Sequence, residues 1–322
     1  TDTTINQNFT NVLPSFRYRF KPSISKHLDI NYRTSSQQPS INDLQPVPDN
    51  TNPNRVKAGN PNLKPNYVHT VNMGFNSWQA LSGRYVYAGG MGSLTDNAFG
   101  DSTTYDEYGR TISQTVNVDG NILAVMYAGA GLPFFGRKLT ISPSLNSSFN
   151  RNNNYISGLK NVTNNLAVTG ALDLDFEWDS LEITLSTSYS YNNPSSSLSS
   201  ASSTPFTIAT YGVDFEWRLP LGFTIGSEAL YTKNNQPGEG FYDTEYFVWN
   251  AELSKSFLKT SNLVISLIGN DILNQNINAR RQVQGNIVTD YRTTIISRYF
   301  MLKATLRFNN RKTKEEDFNG MH

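Results

Sequence analysis

Alternation of apolar and polar residues with a period of two runs through almost the whole chain, and it constrains the fold more than any other feature. From Leu139 to Phe149 one face reads Leu139, Ile141, Pro143, Leu145 and Phe149, and the other reads Thr140, Ser142, Ser144, Asn146 and Ser148. The pattern returns at Leu166–Trp178, at Leu181–Tyr191, at Ala209–Trp217 and at Phe300–Phe308, where Leu302, Ala304 and Leu306 oppose Tyr299, Lys303, Thr305 and Arg307. Each run has about the 9 to 11 residues that a tilted membrane-crossing strand needs, whereas no apolar run approaches the ~20 residues of a membrane helix.

A strand wall in lipid needs only every second side chain to be apolar, so such a protein looks polar on average. Composition agrees: 37 % of residues are hydrophobic, 12 % aromatic and only 16 % charged, with a mean hydropathy of −0.46. A soluble domain of this length carries more apolar and more charged residues. The absence of cysteine excludes disulfides, thiol nucleophiles and thiolate metal sites. A net charge of +1 gives no electrostatic case for nucleic acid. The opening Thr1-Asp2-Thr3-Thr4 has no secretion-signal pattern, which is expected if a leader was removed or the chain starts inside a longer product.

Connections alternate in length. Short ones follow Phe20, Trp78, Phe134, Trp178, Leu219 and Phe257; long ones, rich in Asn, Ser, Gly and Pro, are expected near 36–66, 98–109, 152–164, 193–204, 234–243 and 274–295. Short periplasmic turns and long extracellular loops give this rhythm in outer-membrane barrels. Aromatics gather beside the short turns, and Phe20, Trp78, Trp178, Trp217, Phe257 and Phe308 are assigned to an interfacial girdle. A soluble sandwich or propeller also alternates, but it requires neither feature. The chain therefore reads as an all-β, transmembrane, antiparallel up-and-down β-barrel over residues 1–308, followed by a charged periplasmic tail at 309–322. The runs count to about thirteen strands. Bacterial barrels have even strand numbers, and both the first and last strands run toward the periplasm, so at least one strand is expected before residue 1.

The segment Gly59-Asn60-Pro61-Asn62-Leu63-Lys64-Pro65 precedes a strand that starts at Asn66. Its prolines stop strand pairing and set an extended approach to that strand. Upstream lie Leu13-Pro14-Ser15, Tyr32-Arg33-Thr34 and the stretch Pro39–Pro46; downstream lie Gly269–Gln275 and Ser297-Arg298-Tyr299-Phe300. This order resembles the barrel of TonB-dependent receptors, especially the related outer-membrane β-barrel family of Bacteroidota. The resemblance implies a bacterial outer-membrane location, a larger barrel of about 22 strands, a plug domain N-terminal to the barrel, and TonB as a partner.

Charged residues fall on the polar faces: Arg17, Arg19, Asp29, Arg33, Asp173, Asp175, Glu177, Glu182, Asp214, Glu216, Glu228, Glu252, Lys303 and Arg307. In lipid these must line the lumen, because a charge facing mid-bilayer costs several kcal/mol. Lumen solvation and cross-strand pairing account for any one of them; as a set they offer a surface that holds a plug or guides a solute. Asp173, Asp175 and Glu177 form a carboxylate row, yet alternate residues on a strand lie about 7 Å apart, too far to chelate one ion alone. No metal and no cofactor is assigned. A serine hydrolase needs a nucleophile beside a histidine, and His27, His69 and His322 have no Ser–Asp context, so no catalytic residue is assigned. His69 shares a face with Val71, Met73 and Phe75, which places it toward the membrane interface. Loop aromatics Tyr105, Tyr108, Phe241, Tyr242 and Tyr246 are candidates for stacking on a ligand. The expected function is TonB-dependent uptake of a solute. The alternative is a structural or assembly barrel within an envelope complex, with an outer-membrane lipoprotein or other envelope protein as partner besides the membrane lipid itself.

Overall fold

The computed structural model describes residues 8–52, 54–198, 204–235, 244–257, 263–284, 287–293 and 298–306. The strands are β1 (Ser15–Ser23), β2 (Lys26–Gln37), β3 (Asp49–Asn52), β4 (Arg55–Ala58), β5 (Asn66–Trp78), β6 (Tyr85–Asp96), β7 (Ala98–Tyr105), β8 (Thr111–Val118), β9 (Asn121–Phe134) and β10 (Leu139–Ile156). They continue as β11 (Leu159–Trp178), β12 (Leu181–Ser196), β13 (Phe206–Leu219), β14 (Phe223–Asn235), β15 (Thr244–Phe257), β16 (Leu263–Asn270), β17 (Asn278–Gln284), β18 (Ile287–Thr293) and β19 (Tyr299–Leu306). One short helix, α1 (Ile41–Leu44), lies between β2 and β3.

Among the described residues, thirteen of these strands make one antiparallel wall in chain order. β1 pairs with β2, β2 with β5, β5 with β6, β6 with β9 and β9 with β10. From β10 to β16 each strand pairs with the next, and β16 then pairs with β19. This is the expected count and the expected up-and-down connectivity. The sheet is open: β1 and β19 each pair on one side only among the described residues.

Because paired residues on neighbouring strands point to the same side, the register fixes two continuous faces. One carries Phe16, Tyr18 and Phe20 of β1, Leu172, Leu174 and Phe176 of β11, and Val213, Phe215 and Trp217 of β13. The other carries Ser144, Asn146 and Ser148 of β10 and Ser186, Ser188 and Ser190 of β12. The wall is one layer thick, so large apolar side chains such as Leu185, Val213 and Trp217 stay exposed. Where the two layers of a soluble domain would bury such a face, here the surroundings must supply the apolar medium.

Of the aromatics assigned to a girdle, Phe20, Trp178, Trp217 and Phe257 lie on the apolar face beside the short turns. Lysines frame them: Lys138 Nζ sits 5.1 Å above the Trp178 ring, and Lys255 Nζ sits 3.8 Å above Phe223 and 5.5 Å from Phe257. Such side chains lay an apolar stem along the wall and lift the ammonium toward water. Trp78 departs from the expectation. It pairs with Tyr85 and shares the polar face with Asn72 and Asn76. Nearness to a turn does not fix parity, and Phe75 is the last apolar-face aromatic of β5. On the polar side Trp78 joins Tyr85, Tyr87 and Tyr127, whose rings pack against Gly131, Gly129 and Gly89. Phe308 and the tail 309–322 lie outside the described residues.

The long connections contain more regular structure than their composition suggests. The stretch 152–164 is not a loop: β10 and β11 stay paired up to Ile156↔Leu159 and turn through Ser157 and Gly158 alone. Both turn residues have positive φ, 49° and 80°, as a type I′ hairpin turn demands. Polar side chains that read as loop composition serve the pairing instead: Arg151 Nε donates to Asn164 Oδ1 at 2.8 Å and Thr163 Oγ1 donates to the Asn152 backbone carbonyl at 3.2 Å. Likewise 98–109 contains β7, and 274–295 contains the β17–β18 hairpin.

Buried side chains concentrate at this long-loop end rather than in the wall. Leu63 is fully buried, and Ala98, Val118 and Phe206 nearly so. There β4 runs parallel to β8, β8 pairs with β7, and β7 pairs with the end of β10, so the loops knit into a cap joined to the wall.

Candidate functional site

The cap is built on the Gly59–Pro65 segment. Ser40 caps α1, its Oγ accepting from the Asp43 amide, as an N-cap serine does. The Asp43 carboxylate accepts from Lys57 Nζ at 2.7 Å and from Thr115 Oγ1 at 3.0 Å, while the Asp43 carbonyl accepts from the Asn60 amide at 2.6 Å. The Lys57 ammonium, helped by Ser40 and Thr115, holds Asp43 below the usual carboxylate range. Asn60 Nδ2 donates to the Thr115 carbonyl at 3.0 Å, and Gln114 Nε2 donates to the Gly59 carbonyl at 3.0 Å. A Cβ on Gly59 would overlap the Gln45 carbonyl oxygen. The glycine is thus required by close approach of two backbones, and the sequence motif is the packed centre of the cap.

Below the cap, the register places every described charged candidate on the polar face. Arg17 and Arg19 lie on β1 and Arg33 on β2; Arg19 Nε is 2.5 Å from Asp29 Oδ1. Asp173, Asp175 and Glu177 come from β11, Glu182 from β12, Asp214 and Glu216 from β13, Glu228 from β14, Glu252 from β15 and Lys303 from β19. Arg307 lies outside the described residues.

The register also reveals how closely the acids assemble. Glu177 stands opposite Glu182, and Glu182 opposite Glu216, in one row across three strands. One step further from the turns, Asp175, Thr184, Asp214, Glu228 and Asn250 form a second row. Like charges directly opposite each other destabilise a sheet. Arg218, which the sequence reading missed, relieves the first row: it pairs with Glu182 and lies 3.6 Å from Glu216. Its signal was its parity with Glu216 two residues before, at the rim of the same face. Thr184 Oγ1 donates to Asp175 at 2.9 Å and Asn250 Nδ2 donates to Glu228 at 3.2 Å. The side chains of Asp173, Glu177, Asp214 and Glu252 have no such partner among the described residues. Asp214, Glu216, Glu228 and Glu252 line a shallow depression of about 260 Å³.

Among the described residues, no three metal-ligating side chains converge closely enough to hold an ion. His69 stands on the apolar face, its Nδ1 2.8 Å from the Tyr32 hydroxyl and its Nε2 3.7 Å from Asp96. His27 stands on the polar face, 3.3 Å from Asn76 Nδ2, and His322 lies outside the described residues. Of the loop aromatics, Tyr108 is exposed in the β7–β8 turn with Arg110 5.7 Å from its ring. Tyr105 ends β7, and Tyr246 belongs to β15 opposite Thr232 rather than to a loop. Phe241 and Tyr242 lie outside the described residues.

The profile described as the outer membrane protein beta-barrel family matches residues 1–214 and 176–308. The chain belongs to that family. No curated protein and no solved structure matches it. Membership places the protein in the bacterial outer membrane, where barrels of this kind turn an apolar face to lipid and a polar face to the lumen. The short turns at 24–25, 79–84, 135–138, 179–180 and 220–222 lie at one end of the wall and the cap at the other, and in outer-membrane barrels short turns face the periplasm and long loops the outside.

Proposed function

We propose that this outer-membrane barrel is a TonB-dependent receptor-like transporter that takes up a solute captured by its extracellular cap. The observation that carries the reading is the lumen wall of β11–β15: eight carboxylates face inward, and four of them have no partner among the described residues. A wall like this calls for a cationic counterpart, and a plug domain docked in the lumen supplies one. The open sheet supports the same reading, since its two edge strands accommodate further strands of a barrel of about 22. The structured cap, centred on Gly59–Pro65, is the surface that meets a solute first. In this account TonB acts across the periplasm on the plug, and the cargo is left to experiment.

The test is purification of the protein from native outer membranes, with intact mass, binding of the isolated TonB C-terminal domain, and a screen of scarce-nutrient uptake with and without TonB. The account expects a polypeptide at least about twice this length, TonB binding, and loss of uptake of at least one solute when TonB is removed. A stable complex with other envelope proteins, with no TonB binding and no uptake defect, would establish the structural alternative instead.

A further inference from the structure

The lipid face of the wall is indented. A groove of about 580 Å³ with an almost wholly apolar lining runs along β6 and β9 on that face. Its floor is Ala88, Gly90 and Gly92 of β6 with Ala124 and Ala128 of β9, and the Met126 side chain of β9 stands between the two alanines beside Gly90. Val71, Met73 and Phe75 of β5 rise on one side, and Leu145 of β10 rises on the other.

The register gives the groove a defined outer end. His69, Leu94, Ile122 and Arg151 form one row across β5, β6, β9 and β10 on the lipid face. Beneath it come the rows Val71–Gly92–Ala124–Phe149, Met73–Gly90–Met126–Ser147 and Phe75–Ala88–Ala128–Leu145. On the His69 side Tyr32 and Tyr67 contact the imidazole ring, 6.2 and 4.9 Å between centroids, as aromatics do at a headgroup boundary. Arg151 guards the other side. Its Nε is held by Asn164 and its guanidinium lies 5.8 Å from the Phe149 ring. It has no carboxylate partner among the described residues, whereas His69 faces Asp96 at 3.7 Å.

We infer that this groove binds one acyl chain of a phosphate-bearing lipid of the outer leaflet, with the phosphate on Arg151. Depth selects the occupant. From the Arg151 row to the Leu145 row is six residues, about 20 Å along a strand. With a strand tilt of about 40° that is about 15 Å of depth, half of the ~30 Å hydrocarbon core. A membrane-spanning segment of a partner would need the full thickness; one leaflet's chain needs this half. Charge selects the headgroup, because an unpaired guanidinium above an apolar slot accepts a phosphate through charge-assisted, bidentate hydrogen bonds. The site faces lipid and stands whether or not the lumen transports.

The test uses the full protein reconstituted in vesicles with phosphatidylglycerol or with diacylglycerol of the same chains, then extracted and weighed by native mass spectrometry. Gly92→Leu suits the purpose because a Cβ there meets nothing within 4 Å, whereas one on Gly90 would press on the Val125 carbonyl oxygen at 2.6 Å. Ala229→Leu, on the lipid face of β14, is the control. The wild type and Ala229→Leu are expected to keep one phosphatidylglycerol in preference to diacylglycerol. Gly92→Leu is expected to lose it, and Arg151→Gln to weaken its retention about ten-fold, the scale of one charge-assisted hydrogen bond. Heat-modifiable migration on gels reports that each variant is folded. Retention of both lipids alike, retention unchanged by Gly92→Leu or by Arg151→Gln, or a change of oligomeric state in place of lipid loss would each overturn the assignment.

Discussion

Replacing Arg218 with alanine tests the reading of the acidic lumen wall, because it strips the Glu177–Glu182–Glu216 row of its one cation among the described residues. Opposite residues in an antiparallel pair stand about 5 Å apart. Two unit charges at that distance repel by about 0.8 kcal/mol in water, and physiological salt, with a screening length of about 8 Å, cuts this to about half. Two such contacts lie in the row, Glu177 with Glu182 and Glu182 with Glu216. Arg218 is half exposed, 51 %, so its own attraction is discounted to the range of an exposed ion pair, up to about 1 kcal/mol. Arg218→Ala is therefore expected to destabilise the barrel by about 1 kcal/mol at low salt and by less than about half of that in 1 M NaCl. Urea-dependent folding into vesicles, followed by tryptophan fluorescence, measures both. Glu182→Gln in the same background should return most of the loss, since it removes both repulsions. A loss that does not change with salt, or that Glu182→Gln leaves in place, would refute the electrostatic account and make Arg218 a packing residue.

Three further outcomes follow from the same faces and contacts. Leu172→Arg at the centre of the lipid-facing run of β11 should cost about 2–4 kcal/mol, while Ala171→Arg, one residue away and lumen-facing, should cost little; the same folding titration compares them. Asp43 has its pKa lowered in the folded state by Lys57, so its contribution to the cap is present above its unfolded value of 3.8 and is lost as the pH falls below that value toward the lower folded one. Protease sensitivity of the cap should rise in that acid range for the wild type, and Lys57→Met should move the rise to higher pH. Gly59→Ala should loosen the cap at all pH values, seen as faster proteolysis at the 38–65 connection, without altering the folding of the wall.

The wall was legible because its physics is local. Leu139–Phe149 and Leu181–Tyr191 show their faces in the order of their residues, and lipid on one side enforces that order through the middle of each of these runs. All thirteen described members of the charged set proposed for the lumen fall on one face for that reason. What the sequence could not show was what depends on register between strands. Glu177, Glu182 and Glu216 meet in one row only because β11, β12 and β13 pair at a particular offset, and Trp78 turned inward because strand-end position says nothing of parity. The Asn-rich 152–164 stretch misled because polar side chains there bond across a hairpin instead of leaving it. The Gly59–Pro65 segment was visible as a motif, but its packing against Gln45 and Asp43 is a long-range contact that composition does not reveal.

Single cysteines placed one at a time from Leu166 to Trp178 of β11 test the two-faced membrane wall most directly, and the chain's lack of native cysteine makes each label unique. In reconstituted vesicles, even-numbered positions should be shielded from a water-soluble thiol reagent and quenched by a lipid-borne quencher, while odd-numbered positions, including 171, 173 and 175, should react from the water side. Reactivity that does not alternate along the strand, or water access at Leu172 and Leu174, would contradict the account.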